Sequence, residues 1–111
     1  MVEIFTNYYP INDAARTLYN HLMQDHRCLF VNSGNLKDSK DSWTQQHVVF
    51  ETDFEDNIAD KNHMMNELTA WWTAKNHLLN DVPDDEWVKC SHYRKRISLD
   101  RFKDDAFAYV C

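Results

Sequence analysis

Five consecutive side chains, His92-Tyr93-Arg94-Lys95-Arg96, are all basic or titratable. They directly follow Glu86-Trp87-Val88-Lys89-Cys90-Ser91, which reads as a strand. In open α/β sheets, ligands bind outside the carboxyl ends of the strands. Arginines placed there can fork onto phosphate oxygens, and Tyr93 can stack or donate a hydrogen bond. The same run would also serve as a solvated turn after an edge strand. Lys plus Arg number 12 and Asp plus Glu 18, a formal charge of −6. An acidic chain repels phosphate backbones, so no nucleic acid partner is expected, while a local basic spot still suits a nucleotide.

A second group is acidic: Asp53, Glu55, Asp56, Asn57 and Asp60. Such spacing could hold Mg²⁺ or Mn²⁺, but the glycine and closing glutamate of an EF-hand are absent. Solvated acids beside a helix start explain it as well. No metal site is therefore assigned. His63 and Glu67, four apart, would share a helix face, yet no third ligand follows and there is no HExxH. A surface pair or a cap is the simpler reading. The same holds for His21, Asp25 and His26, while His47 and His77 have no evident partners in sequence. Trp71-Trp72 with Met64-Met65 could line a sugar or nucleotide pocket, but helical spacing favours core packing. No nucleophile elbow surrounds Ser33-Gly34, and Cys90 beside His92 lacks an activating helix start.

Other classes are excluded by what is missing. Gly34 is the single glycine of 111 residues. That rules out a P-loop, a dinucleotide fingerprint and a kinase glycine-rich loop. The longest apolar run, Ala106 to Cys111, is too short for a membrane span. MVEIFTNYYP is not a secretion signal. Cys28, Cys90 and Cys111 are odd in number and widely spaced. Reduced, mostly buried thiols in a cytoplasmic protein are expected.

The elements that must position these groups are α/β in pattern. Residues 2–9 read as a first strand ending at Pro10. Asn12 and Asp13 open a helix over 13–25, with Ala14, Ala15, Leu18, Tyr19, Leu22 and Met23 on one face. Residues 28–31 read as a strand covered on both faces. The stretch Asn32 to Trp43 reads as a loop, and His47 to Phe50 as a third strand. Residues 51–62 form an acidic loop. A long helix is predicted over 63–80, its buried stripe formed by Met64, Leu68, Trp71, Trp72 and Leu79, with Met65 and Leu78 beside it. Asn80, Asp81 and Pro83 end it. Residues 86–91 form a fourth strand, and 106–110 a fifth. Alternation of helices and short strands implies βαβ units, a mostly parallel sheet and one domain over 1–111.

Residues 56–96 carry a family likeness. Asp56-Asn57-Ile58, Lys61-Asn62, Asn66-Glu67-Leu68-Thr69-Ala70, Lys75-Asn76 and His92-Tyr93-Arg94-Lys95 occur in one order. The set resembles the DUF4422 family, glycosyltransferase-like domains of capsular and exopolysaccharide gene clusters. That family's hallmarks are DNI-x-x-KN, ELT on an aromatic helix ending in WKN, and HYRR after a strand. This chain departs from them at three points. Lys75-Asn76 comes one residue early with Ala74 before it, Lys95 replaces the second arginine, and the sequence stops at Cys111.

The resemblance implies a GT-A-like three-layer sandwich, shortened to its nucleotide-binding half. It implies a nucleotide-diphosphate sugar as donor, transfer to a glycan acceptor, and surface polysaccharide synthesis. Thr6, Asn7 and Tyr8 would border the nucleotide. Asp56 and Asn57 would touch the donor sugar, and Asn62 and Glu67 would orient its hydroxyls. His92 and Tyr93 would orient the diphosphate while Arg94, Lys95 and Arg96 neutralise it in place of a metal. Asp56, Glu67 and His92 are the catalytic candidates. Should Mn²⁺ or Mg²⁺ be required, Asp53, Asp56 or Asp84-Asp85 would hold it. A catalytically inactive short homologue, acting as a binding or assembly module and conceivably a homodimer, is the competing expectation.

Overall fold

A computed structural model describes residues 1–6, 13–32 and 41–92. The strands are β1 (Val2–Thr6), β2 (Arg27–Asn32), β3 (Val48–Phe50) and β4 (Val88–His92). The helices are α1 (Asp13–Asp25), α2 (Ser42–His47), α3 (Asn62–Met65) and α4 (Leu68–Thr73). Every strand pairing is parallel, and the order is β3-β2-β1-β4. The fold is α/β with an all-parallel four-stranded sheet.

Every residue of β1 is buried, as in a strand covered on both faces. Phe5 faces α1 and α2, joining Tyr19, Leu22, Phe30, Val48 and Phe50 in one cluster. Phe5 stacks on Phe30 with centroids 5.2 Å apart, and Tyr19 meets Phe5 edge-on at 5.1 Å. Burying each such ring contributes about 2–3 kcal/mol. Ile4 points to the other face, where it packs with Val31, Ala70 and Ala74. Right-handed crossovers explain the two faces. The β1–β2–β3 progression puts α1 and α2 on one side, and the return to β4 beyond β1 puts α4 on the other.

The helix over 13–25 and the second to fourth strands are where the pattern places them, within a residue or two. Asn7 to Asn12, residues 33–40, Tyr93 to Arg96 and the fifth strand lie outside the described residues. Within the segment read as a loop, the end belongs to α2. Asp41 caps that helix, accepting from Trp43 N at 2.8 Å and Thr44 N at 3.3 Å, and pairs with Arg16. His47 therefore ends a helix instead of starting β3. The acidic loop contains short 3₁₀ turns at Glu51–Asp53 and Ala59–Lys61.

The long helix predicted over 63–80 is broken. Asn66 adopts φ 52° and ψ −133° and separates α3 from α4. A π-turn, Ala74–Leu78, follows α4. These breaks rotate the face that meets the sheet. Met64 is 66% exposed and Leu68 48%, while Thr69, Ala70, Thr73 and Ala74 are fully buried. Trp71 and Trp72 are only half-buried. Small side chains let α4 approach β1 and β2 closely; of the expected stripe, Trp71, Leu78 and Leu79 pack at the margin of this core, while Met64, Met65 and Leu68 are exposed. His63 and Glu67 do not share a helix face, because Asn66 breaks the helix between them. His63 Nδ1 instead meets the Asp60 carbonyl at 2.9 Å. Cys28 is half-buried but Cys90 is exposed, which corrects the expectation of mostly buried thiols. Among the described residues, no helix is long and apolar enough to cross a membrane.

Candidate functional site

The strand order creates a topological switch between β1 and β4. The chain winds outward from β1 through β2 to β3, then returns to the opposite side of β1. In open parallel sheets such a reversal of strand order marks the place where ligands bind, outside the carboxyl ends of the strands. Thr6 closes β1 and His92 closes β4, and the two are register partners. Thr6 is fully buried, and its Oγ1 donates to the Ser91 carbonyl at 3.4 Å. His92 is half-buried. Two of the residues singled out in sequence are thereby brought together.

Beneath them lies a polar network that the sequence reading missed. Glu3, fully buried, accepts from Ser91 Oγ at 2.7 Å and lies 3.4 Å from Lys89 Nζ. Its other oxygen is 2.9 Å from His26 Nε2. Glu3, Lys89 and Ser91 share one face of β1 and β4 because Glu3 is in register with Lys89. The network fastens β4 to β1 within the last four residues of each strand. An acid inside the apolar run Val2-Glu3-Ile4-Phe5 was the available signal.

A second group gathers around the α3–α4 bend. Asn62 Nδ2 donates to the Asn66 carbonyl at 2.8 Å and to Thr69 Oγ1 at 3.1 Å. Thr69 Oγ1 donates to the same carbonyl at 3.1 Å. Thr73 Oγ1 donates to the Thr69 carbonyl at 3.0 Å. Asn62 is therefore at a helix start, as expected, but its amide is engaged in holding the bend. Glu67, half-buried, precedes α4, and its carbonyl accepts from Ala70 N and Trp71 N.

Asp56 and Asn57 lie on the turn after β3. Asn57 uses its amide locally, donating to the Phe54 carbonyl at 2.7 Å and accepting from Ala59 N at 3.1 Å. The Asp56 carboxylate is on an exposed residue, while its carbonyl lies 2.6 Å from His77 Nε2. His77 stacks on Phe54 with centroids 4.3 Å apart. The turn is thus pinned to the π-turn, and His77 has a structural partner that its sequence neighbours do not reveal. Among the described residues, no three His, Cys, Asp or Glu side chains gather as a metal site.

Glu51, the first residue after β3, is the other one missed. It is fully buried, and neither carboxylate oxygen makes a well-formed hydrogen bond, the Thr69 hydroxyl being a near polar neighbour. Burial pushes its carboxyl above the usual range, offset in part by the nearby Thr69 hydroxyl. In sequence it is lost among the solvated acids that follow it. Although Cys90 is exposed, partial desolvation of its thiol by the surrounding protein pushes it up, which opposes any nucleophilic role beside His92.

No family model, curated protein or solved structure matches this chain.

Proposed function

We propose that this chain is a GT-A-like domain that binds a nucleotide-diphosphate sugar and transfers the sugar to a glycan acceptor. The observation that carries the reading is the pairing of Thr6 with His92 across the switch point of an all-parallel sheet. A diphosphate seated there would meet the His92 ring, with Tyr93 and the basic residues Arg94, Lys95 and Arg96 following it in the sequence. In this reading Arg94, Lys95 and Arg96 balance the charge that develops on the leaving nucleoside diphosphate. Thr6, Asn7 and Tyr8 border the nucleotide. Asp56, Asn57, Asn62 and Glu67 face the sugar, and Asp56, Glu67 and His92 remain the catalytic candidates. The DUF4422-like motif order supports the same assignment.

Thermal stabilisation by a panel of nucleotides and nucleotide sugars, with and without Mn²⁺, tests it. A ligand at a hundred times its dissociation constant adds roughly 2.7 kcal/mol of apparent stability. Stabilisation by one nucleoside-diphosphate class, lost in Arg94→Ala, is the expected result. A folded chain that no nucleotide stabilises would overturn the reading. Binding without transfer to any glycan would leave a donor-binding module.

A further inference from the structure

We propose that Glu51 is the floor of a sugar-hydroxyl site at the carboxyl end of β3, accepting hydrogen bonds from two adjacent hydroxyls of one ring. The inference rests on the nucleotide-sugar reading and assigns it a residue that the family likeness does not include.

Two independent observations meet here. Glu51 is fully buried, and neither oxygen makes a well-formed hydrogen bond although the Thr69 hydroxyl is close by. Buried polar groups are satisfied in the great majority of cases, so an orphaned carboxyl calls for an explanation. The Thr69 hydroxyl near Glu51 also bonds the Asn66 carbonyl, where the backbone is strained. Asn66 holds φ 52° and ψ −133°, a conformation costly for any residue with a Cβ. Strain of this kind is concentrated at ligand clamps and switch regions.

The surroundings indicate the ligand's chemistry. The polar side chain near Glu51 on this bend is Thr69, whose hydroxyl in turn accepts from Asn62, and both are neutral. No set of acids or imidazoles joins Glu51 to make a cation site among the described residues. Hydroxyls and amides that both give and take hydrogen bonds match a sugar ring. A carboxylate offers two acceptor oxygens, and a vicinal diol offers two donors at matching spacing.

The same bend supplies a way in. α3 buries none of its residues, and Asn62 tethers it to Thr69. Thr69 Oγ1 now donates to the Asn66 carbonyl. Moving the single turn of α3 would free the Asn62 amide and the Thr69 hydroxyl beside Glu51 for bonds to the ligand. Two hydroxyl donors favour the ionised carboxylate, so binding releases a proton.

Isothermal titration of the full chain with UDP-glucose, GDP-mannose, UDP, GDP and 2′-deoxy-UDP tests the assignment. Glu51→Gln is expected to weaken the ligand that binds by about tenfold or more, as loss of charge-assisted hydrogen bonds does. Wild-type affinity is expected to rise with pH, by at most about tenfold per unit, and the variant to lose that slope. The free variant should melt no lower than wild type at pH 7, which separates ligand contact from a structural role. If the hydroxyls are those of the ribose, UDP is weakened as much as UDP-glucose, and 2′-deoxy-UDP binds poorly even to wild type. If they are those of the transferred sugar, only the nucleotide sugars are weakened.

An undiminished affinity and an unchanged slope in Glu51→Gln would overturn the assignment and leave the proposed function standing. A second readout does not depend on nucleotides. The ¹³C carboxyl signal of Glu51 is titrated with acid in free glucose and free ribose, and its midpoint is expected to fall. A lowered midpoint without any nucleotide binding would support the site and overturn the nucleotide reading. A midpoint that no sugar or nucleotide moves would overturn the site.

Discussion

Ser91 Oγ donates to Glu3 Oε2 at 2.7 Å, joining residues 88 positions apart in sequence. The bond is buried, and Lys89 and His26 converge on the same carboxylate. Breaking a buried charge pair by removing one partner is far costlier than losing one neutral hydrogen bond. Glu3→Ala is expected to lower the unfolding free energy in urea by about 3 kcal/mol or more. Ser91→Ala, which leaves the carboxylate with its other partners, is expected to cost about 1 kcal/mol. Equal losses in the two variants would show that the network does not hold β4 against β1.

The strands were legible because their residues are apolar and β-branched, and α1 because its apolar positions recur at helical spacing. Arg27–Asn32 and Val48–Phe50 needed no tertiary information. The helix over 63–80 misled for a physical reason. Periodicity assumes an unbroken helix, and it cannot register a positive φ at Asn66 or the extra residue of a π-turn. Met64 and Leu68 looked like core and are exposed, whereas Ala70 and Ala74 carry the contact with Ile4 and Val31. Of the candidate site, His92 could be named from the end of a strand, and Thr6 only from the family likeness, because the first strand read as continuing to residue 9. Glu3 and Glu51 could not, because an acid reads as solvated until its neighbours on other strands are known.

Ala74 reports directly on that corrected helix face. It is fully buried against Ile4 and Val31. Ala74→Leu adds volume where there is none and is expected to cost about 1–3 kcal/mol. Met64→Ser, on a residue 66% exposed, is expected to change stability by less than about 0.5 kcal/mol. Chemical denaturation of both variants checks the pair. The reverse ranking would restore the large apolar stripe as the core.

Two carboxyls should give the stability profile opposite slopes. Burial raises the Glu51 carboxyl from 4.5, so the folded state holds that proton more tightly than the unfolded chain. Its contribution is fully present below about pH 4.5 and is lost as pH rises through the raised folded value. Asp81 behaves oppositely. The Arg27 guanidinium, bonded to both its oxygens at 2.9 Å, holds it below 3.8. Its contribution is present above about pH 3.8 and is lost as pH falls through the lowered value. Glu51→Gln is therefore expected to flatten the decline above pH 4.5, and Asp81→Asn the decline in acid. The exposed Arg27–Asp81 pair should also fade with salt, while the Glu51 effect persists. Urea midpoints across pH 3 to 7 at low and high salt separate the two.

Asn66 offers the most direct test of the bend. Its φ of 52° with ψ −133° lies where a Cβ is crowded and glycine is free. The bonds it accepts from Asn62 and Thr69 go to its backbone carbonyl, so they survive any side-chain change. Asn66→Gly relieves the strain but increases the freedom of the unfolded chain, and the two effects oppose. Strain at such a position is worth about 1–3 kcal/mol, more than the entropy a glycine adds. A net gain of about 1 kcal/mol is therefore expected in urea unfolding. Asn66→Ala keeps the Cβ and should show no gain. Should Asn66→Gly destabilise the chain as much as an ordinary glycine inside a helix, the strain between α3 and α4 would be disproved, and with it the bend as a place where the chain can open.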